Sequence, residues 1–135
     1  MNGAAMYKIE TTDFGVRLTF GGFIKLEEMS SWVAESEKAL KTLPPKFGVM
    51  VDMRNLKPLP AESQVEMQKG QKLYKEKGMV RSVVVVDNAT TRLQFRRIAS
   101  ETGIDAWERY LDSSHTADWD QVGRKWLMDG IDPDL

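Results

Sequence analysis

The first part of the chain alternates apolar and polar residues with a period of two, and the pattern then lengthens to helical spacing. Met6 to Thr12 has strand character, and Asp13-Phe14-Gly15 makes a compact turn. In Val16 to Phe20 the apolar Val16, Leu18 and Phe20 alternate with Arg17 and Thr19. An antiparallel hairpin with one wet face is predicted, closed by Gly21-Gly22. From Leu26 the apolar positions Leu26, Met29, Trp32, Val33, Ala39, Leu40 and Leu43 recur at helical spacing. Glu27 and Glu28 stand in the first turn, where the helix dipole favours negative charge, and Pro44-Pro45 ends the segment.

Phe47 to Met53 and Met79 to Val86 are nearly continuous apolar runs of strand length, as expected for strands covered on both faces. Between them Pro60 opens a helix that runs to Lys77, with Gly78 as its stop. Its apolar stripe is thin. Val65 and Leu73 mark one line and Met67 and Tyr74 another, which predicts shallow packing or a second contact surface. Thr90 to Thr102 is a helix whose inward face gathers Thr91, Phe95, Ile98, Ala99 and Thr102, with Leu93, Arg96 and Arg97 opposite. A short strand at Ala106 to Leu111 follows. The last helix, Thr116 to Met128, aligns Trp119, Val122 and Trp126; it begins after Ser113 and Ser114, either of which has the chemistry of a cap, and Gly130 and Pro133 end it. The order ββαβαβαβα predicts one α/β domain over residues 1–135. It has a single mainly parallel sheet, right-handed crossovers, and an N-terminal antiparallel hairpin whose first strand lies at or near an edge.

Composition narrows the chemistry. The 135 residues are 41% hydrophobic and 29% charged, within the globular range. A chain of that size buries roughly two-thirds of its unfolded surface without needing staples. The formal charge of -1 supplies no global field for nucleic acid, and none is expected as a partner. With no cysteine there is no disulfide, thiolate metal site or cysteine nucleophile. Met1 to Met6 is too short and too poorly charged for a secretory leader, and no apolar run approaches the roughly 18 residues of a membrane span. The expected location is cytoplasmic, where the acceptor pattern Asn88-Ala89-Thr90 has no meaning.

The segments Gly22-Phe23-Ile24-Lys25-Leu26-Glu27-Glu28, Val49-Met50-Val51-Asp52, Val83-Val84-Val85-Val86-Asp87, Arg109-Tyr110-Leu111-Asp112 and Trp126-Leu127 together span nearly the whole chain. In that order they resemble the STAS-like domains, the group of bacterial anti-sigma-factor antagonists and the cytoplasmic ends of sulfate transporters, and especially its SpoIIAA-like branch. The resemblance implies a regulatory protein-interaction or ligand-binding domain. Antagonists of that group carry an Asp-Ser-Ser-Gly-like stretch with a phosphorylated serine at the start of the helix after the strand of Asp52. This chain has Leu59-Pro60-Ala61-Glu62-Ser63-Gln64 instead. Ser63 is then either a displaced phosphorylation site or a polar residue of the first helical turn.

Asp52, Asp87 and Asp112 fall at the predicted carboxyl ends of three successive strands, the edge where open α/β sheets bind ligands. Two such carboxylates can hold magnesium, and one can accept a phosphoryl group. Against this, Met53-Arg54 follows Asp52 where phosphotransferases of the haloacid-dehalogenase type need a second Asp, and no phosphate-cradling glycine loop is present. The competing reading makes the three residues turn and cap formers. His115 is the only histidine, which excludes a histidine metal cluster and reads as a surface residue at a helix start. Arg92, Arg96 and Arg97, with Arg81, form a candidate basic patch around Leu93, or a solvated face paired with surface carboxylates. Trp32, Trp119 and Trp126 read as core, whereas Trp107 is a candidate pocket wall. No cofactor is expected, and the leading expectation is a non-catalytic domain. It binds another protein or a small apolar ligand, the latter suggested by eight methionines, or pairs with itself through the Pro60 to Lys77 helix. The alternative is a magnesium-dependent enzyme using Asp52 and Asp87.

Overall fold

The computed structural model describes residues 6–135; the reading of Met1 to Met6 as no leader lies, Met6 apart, outside them. The elements follow the predicted order: β1 Met6–Thr11, β2 Gly15–Gly22, α1 Leu26–Ala39 with a 3-10 turn at Leu40–Thr42, β3 Phe47–Leu56, α2 Ala61–Lys77, β4 Met79–Val86, α3 Ala89–Thr102, β5 Glu108–Asp112 and α4 Trp119–Asp129. Five strands form one sheet in the order β1-β2-β3-β4-β5. Only the β1–β2 pair is antiparallel, so β1 is an edge, as the hairpin pattern predicts.

Each βαβ step moves one strand further in the same direction, so right-handed crossovers place α1, α2 and α3 together on one face. Val16, Leu18, Phe20, Val49, Val51 and Val84 meet Trp32, Met67, Tyr74, Phe95 and Ile98 there, in the larger core. The chain ends with α4, which has no strand to follow and covers the other face with Trp126 and Leu127 over Met50, Val83 and Leu111. That division explains the continuous apolar runs of β3 and β4, since both faces of the central strands are dry. At the start of β2, Gly15 has φ +140°, and a Cβ there would lie 2.2 Å from the Gly48 carbonyl oxygen. Only glycine lets these two strands approach so closely.

The structure overturns the expectation for α2. Met67 and Tyr74 are each 2% exposed, so they are core residues and not a contact surface. The inward stripe is Ser63, Met67, Gly70, Gln71 and Tyr74, a helical pattern built largely from polar and small residues. Each polar member has a partner. Ser63 Oγ donates to the Ile24 carbonyl at 2.9 Å, Thr102 Oγ1 donates to Gln71 Oε1 at 2.7 Å, and the Tyr74 and Ser36 hydroxyls lie 2.7 Å apart. Gly70 admits the Trp32 indole, which stacks on Tyr74 at 5.5 Å and meets Phe20 edge-on at 5.2 Å. A count of apolar residues misses such a face because hydrogen bonding removes the cost of burying its polar groups.

Among the boundaries that differ, β5 begins at Glu108 rather than Ala106, and two others shift by three residues. β3 runs to Leu56, beyond the predicted Met53, because β2 continues beside it and pairs Gly21 with Asn55 and Gly22 with Leu56. α4 begins at Trp119, not Thr116, and neither Ser113 nor Ser114 caps it. Ser114 and His115 are instead held in a turn by Asp112.

Candidate functional site

The three strand-end carboxylates do not form one site. Asp52 lies within β3, four residues before its end, on the face covered by α4, and is 7% exposed. Arg54 grips it in two places, Nε to Oδ1 at 3.0 Å and Nη2 to Oδ2 at 2.9 Å, while Arg17 Nη2 stands 3.7 Å from Oδ2. Burial alone would raise the Asp52 carboxyl. The hydrogen bonds and charge of Arg54, with Arg17 behind it, outweigh that and hold it below the usual carboxylate range. Arg17 also reaches Asp120 at 3.5 Å, and Arg124 joins Asp120 and Asp13 at 3.1 Å each. This alternating chain clamps α4 to the sheet. Trp119 is half-buried beneath the Arg54 and Arg17 guanidinium groups, 4.6 and 5.6 Å from its ring centroid, so it is a stacking platform at the margin of the core rather than a core residue.

Asp87 is exposed, accepts from Asn88 Nδ2 at 2.9 Å, and shares with Arg54, Lys57 and Asn88 an open groove of about 480 Å³. Asp112 sits apart. Its Oδ1 accepts from the Ser114 amide and hydroxyl at 2.9 and 2.6 Å, and His115 Nδ1 lies 3.1 Å from Oδ2. The Ser114 bonds, with His115, lower its carboxyl to about 2. No group of three or more metal-ligating side chains gathers among the described residues, and Asp52 is already committed to two arginines. The magnesium alternative therefore has no geometric support.

Ser63 is fully buried, with its hydroxyl on the Ile24 carbonyl, so a kinase could reach it only after α2 had left the core. The phosphorylation reading gives way to a structural one. On α3, Leu93 is 64% exposed, as one side of the basic patch requires. Arg92, Arg96 and Arg97 make no ion pair within 4 Å among the described residues, so the alternative of a paired, solvated face does not describe them. Arg97 bonds Gln64 of α2, and Arg96 lies 5.2 Å over the Tyr110 ring. Arg81 does not belong to this patch. It sits on the α4 side of β4, donating to the Leu127 carbonyl at 3.3 Å and lying 5.6 Å over Trp126. Trp107 packs against both cores and lines neither the groove nor the inner cavity.

Between the sheet and α1–α3 lies an inner cavity of about 30 Å³, room for two or three waters at most by the roughly 10–15 Å³ that each requires. An apolar or lipid-like ligand does not fit unless the helical layer lifts. Glu108 lines this cavity and also an outer pocket of about 250 Å³ beside β5. It is 6% exposed and accepts from Ser82 Oγ at 2.8 Å and from the Tyr110 hydroxyl. Burial pushes its carboxyl up to about 7, against those two hydrogen bonds, which favour the ionised form. Sequence reasoning missed Glu108. Its only trace is its inward position in the alternation Glu108, Tyr110 against Arg109, Leu111, which becomes informative once β5 is known to begin at Glu108.

No protein-family profile and no curated protein matches the chain. Solved structures similar to it include the following two. An uncharacterised protein of the DUF3478 family with a SpoIIAA-like fold, from Shewanella loihica PV-4, aligns over 86% of this chain and 93% of its own, at TM-score 0.60 and 17% identity. An anti-sigma factor antagonist from Mycobacterium paratuberculosis aligns over 92% of this chain and 97% of its own, at TM-score 0.50 and 20% identity. The likeness is one of fold, and the fold is SpoIIAA-like, as the resemblance of the segments implies. Among the described residues no helix is long and apolar enough to cross a membrane.

Proposed function

We propose that the protein is a non-catalytic docking domain of the STAS type that presents α3 to an acidic surface on another protein. The observation that carries this reading is Leu93, 64% exposed and flanked by three arginines without ion pairs among the described residues. In a chain of formal charge -1, α3 carries those three arginines against the single Glu101. An apolar anchor within a basic rim suits an anionic partner, the charges steering encounter and the anchor being desolvated on contact. The likeness to an anti-sigma factor antagonist is consistent with a protein partner. The commitment of Asp52 to Arg54 and of Asp112 to Ser114 and His115 leaves no pair of free carboxylates at that edge, which supports a non-catalytic role.

Replacing Leu93 with a photo-crosslinking residue in the protein's own host tests the reading. A discrete adduct with an acidic protein is expected, reduced at least tenfold by Arg92→Glu with Arg97→Glu, and absent when the probe replaces Val65 on the outer face of α2. Equal labelling from both positions refutes it, and an adduct with a second copy of the chain replaces it with self-association. Rapid turnover of phosphate or ester substrates, abolished by Asp52→Asn, would restore the enzyme alternative.

A further inference from the structure

Two opposite charges line the outer pocket beside β5 without meeting. The pocket is bounded by Arg96, Asp105, Glu108, Arg109, Tyr110 and Asp134. Four of the five donors of Arg109 are taken up: Asp132 accepts from Nε and Nη2 at 2.9 Å each, and the carbonyls of Ala106 and Glu108 accept from Nη1 at 3.1 Å. Asp134 stands 3.6 Å from the same guanidinium. Arg96 and Asp105, by contrast, take part in no ion pair within 4 Å among the described residues, with each other or with any other group. Arg96 is held over the Tyr110 ring at 5.2 Å, and Tyr110 is in turn held by Glu108.

We propose that this pocket binds a free α-amino acid, its carboxylate on the Arg96 guanidinium and its ammonium on the exposed Asp105 carboxylate, beside the buried Glu108. A simple anion would meet three carboxyl groups, and a simple cation would meet Arg96. A molecule with both charges close together satisfies both sides, with the charge-assisted bonds that guanidinium and carboxylate groups make best. The volume of about 250 Å³ lies below the roughly 300–1,000 Å³ of drug-sized sites, which suits one small metabolite. Metal ions are a poor match, since no ligating cluster gathers among the described residues.

Glu108 makes the site sensitive to pH. The groups around it are Ser82 on β4, Tyr110 and Arg109 on β5, Arg96 on α3, Asp105 in the α3–β5 connection, Asp134 after α4, and Gln71 and Tyr74 on α2 across the inner cavity. With its carboxyl raised to about 7 by burial, Glu108 is largely neutral at pH 6 and ionised at pH 8. An ammonium bound at Asp105, whose charge already acts on Glu108, favours the ionised form, so affinity rises across that interval.

The test is titration of the ¹⁵N-labelled protein at pH 8 with each of the twenty α-amino acids. At least one should shift the amides of Arg96 and residues 105–110 at millimolar concentration or below. Its N-acetyl derivative, which lacks the ammonium, and its decarboxylated amine, which lacks the carboxylate, should each bind at least tenfold more weakly. Arg96→Gln and Asp105→Asn should each weaken binding tenfold or more, and Glu108→Gln should remove the rise between pH 6 and 8. The two exposed substitutions leave the core untouched, which the rest of the spectrum verifies. The proposal is overturned if no amino acid shifts these amides at 10 mM, if both variants bind unchanged, or if the single-charge derivatives bind as well as the parent. Arg96 belongs to both surfaces, but Leu93, Arg92 and Arg97, on which the docking test rests, do not line this pocket, so failure of the docking reading is distinguishable from failure here.

Discussion

Gly70→Ala sets two opposed effects against each other at one position. In a helix interior alanine is favoured over glycine by about 1 kcal/mol, so propensity alone makes the change stabilising. In α2, however, an added Cβ would lie 2.0 Å from Cζ3 and 2.3 Å from Cη2 of Trp32. The indole cannot yield easily, because Tyr74 stacks on one face and Phe20 meets it edge-on. Overpacking of this kind costs about 1–3 kcal/mol and occasionally more. Since the contact is far inside van der Waals distance and the ring is confined, a net loss of about 1–2 kcal/mol is expected. Urea unfolding followed by circular dichroism should then show a midpoint lower by roughly 1 M, with an unchanged slope. Trp32→Phe removes the outer ring atoms and costs about 2 kcal/mol by itself through lost burial. In that background Gly70→Ala should become neutral or stabilising, a coupling of about 2 kcal/mol between the two sites. Stabilisation by Gly70→Ala in the native background, or strict additivity with Trp32→Phe, would refute the close approach of α1 and α2.

Glu108 should make stability fall with rising pH. Its folded carboxyl is raised from 4.5 to about 7, so between those values the folded state keeps a proton that the unfolded chain releases; the loss totals roughly 3 kcal/mol and is complete above pH 7. Denaturant midpoints across pH 4.5–8 measure this, and a profile that Glu108→Gln leaves unchanged would contradict it. Asp52 acts in the opposite sense: its folded carboxyl is depressed, so its contribution is present above the ordinary carboxylate range and lost as pH falls through the folded value. Asp52→Asn should cost about 1–3 kcal/mol at pH 7, less than a fully buried pair because the Arg54 side chain is 39% exposed, and should make the acid limb shallower. An acid limb that keeps its steepness in the variant would assign it to other carboxylates.

The hydrophobic pattern by itself determined the element order, the parallel centre of the sheet and the edge position of β1, because strand and helix periods differ and handedness restricts how they connect. Leu93 was legible as outward-facing for the same reason: an apolar residue opposite a clear inward stripe has nowhere else to point. Tertiary structure decided whatever depends on a partner distant in sequence. Ser63 reads as a polar residue of the first turn and Tyr74 as part of a thin stripe until Ile24 and Ser36 satisfy them, and nothing in the sequence marks Gln71 and Gly70 for the places that Thr102 and Trp32 give them. Asp52 read as the end of a strand until β2 extended the ladder past it and Arg17 crossed to it from the neighbouring strand. Glu108 was invisible for the most general reason. One carboxylate among 20 acidic residues is marked only by an alternation that depends on where β5 begins, and its burial moves its proton affinity toward neutrality against the hydrogen bonds of Ser82 and Tyr110.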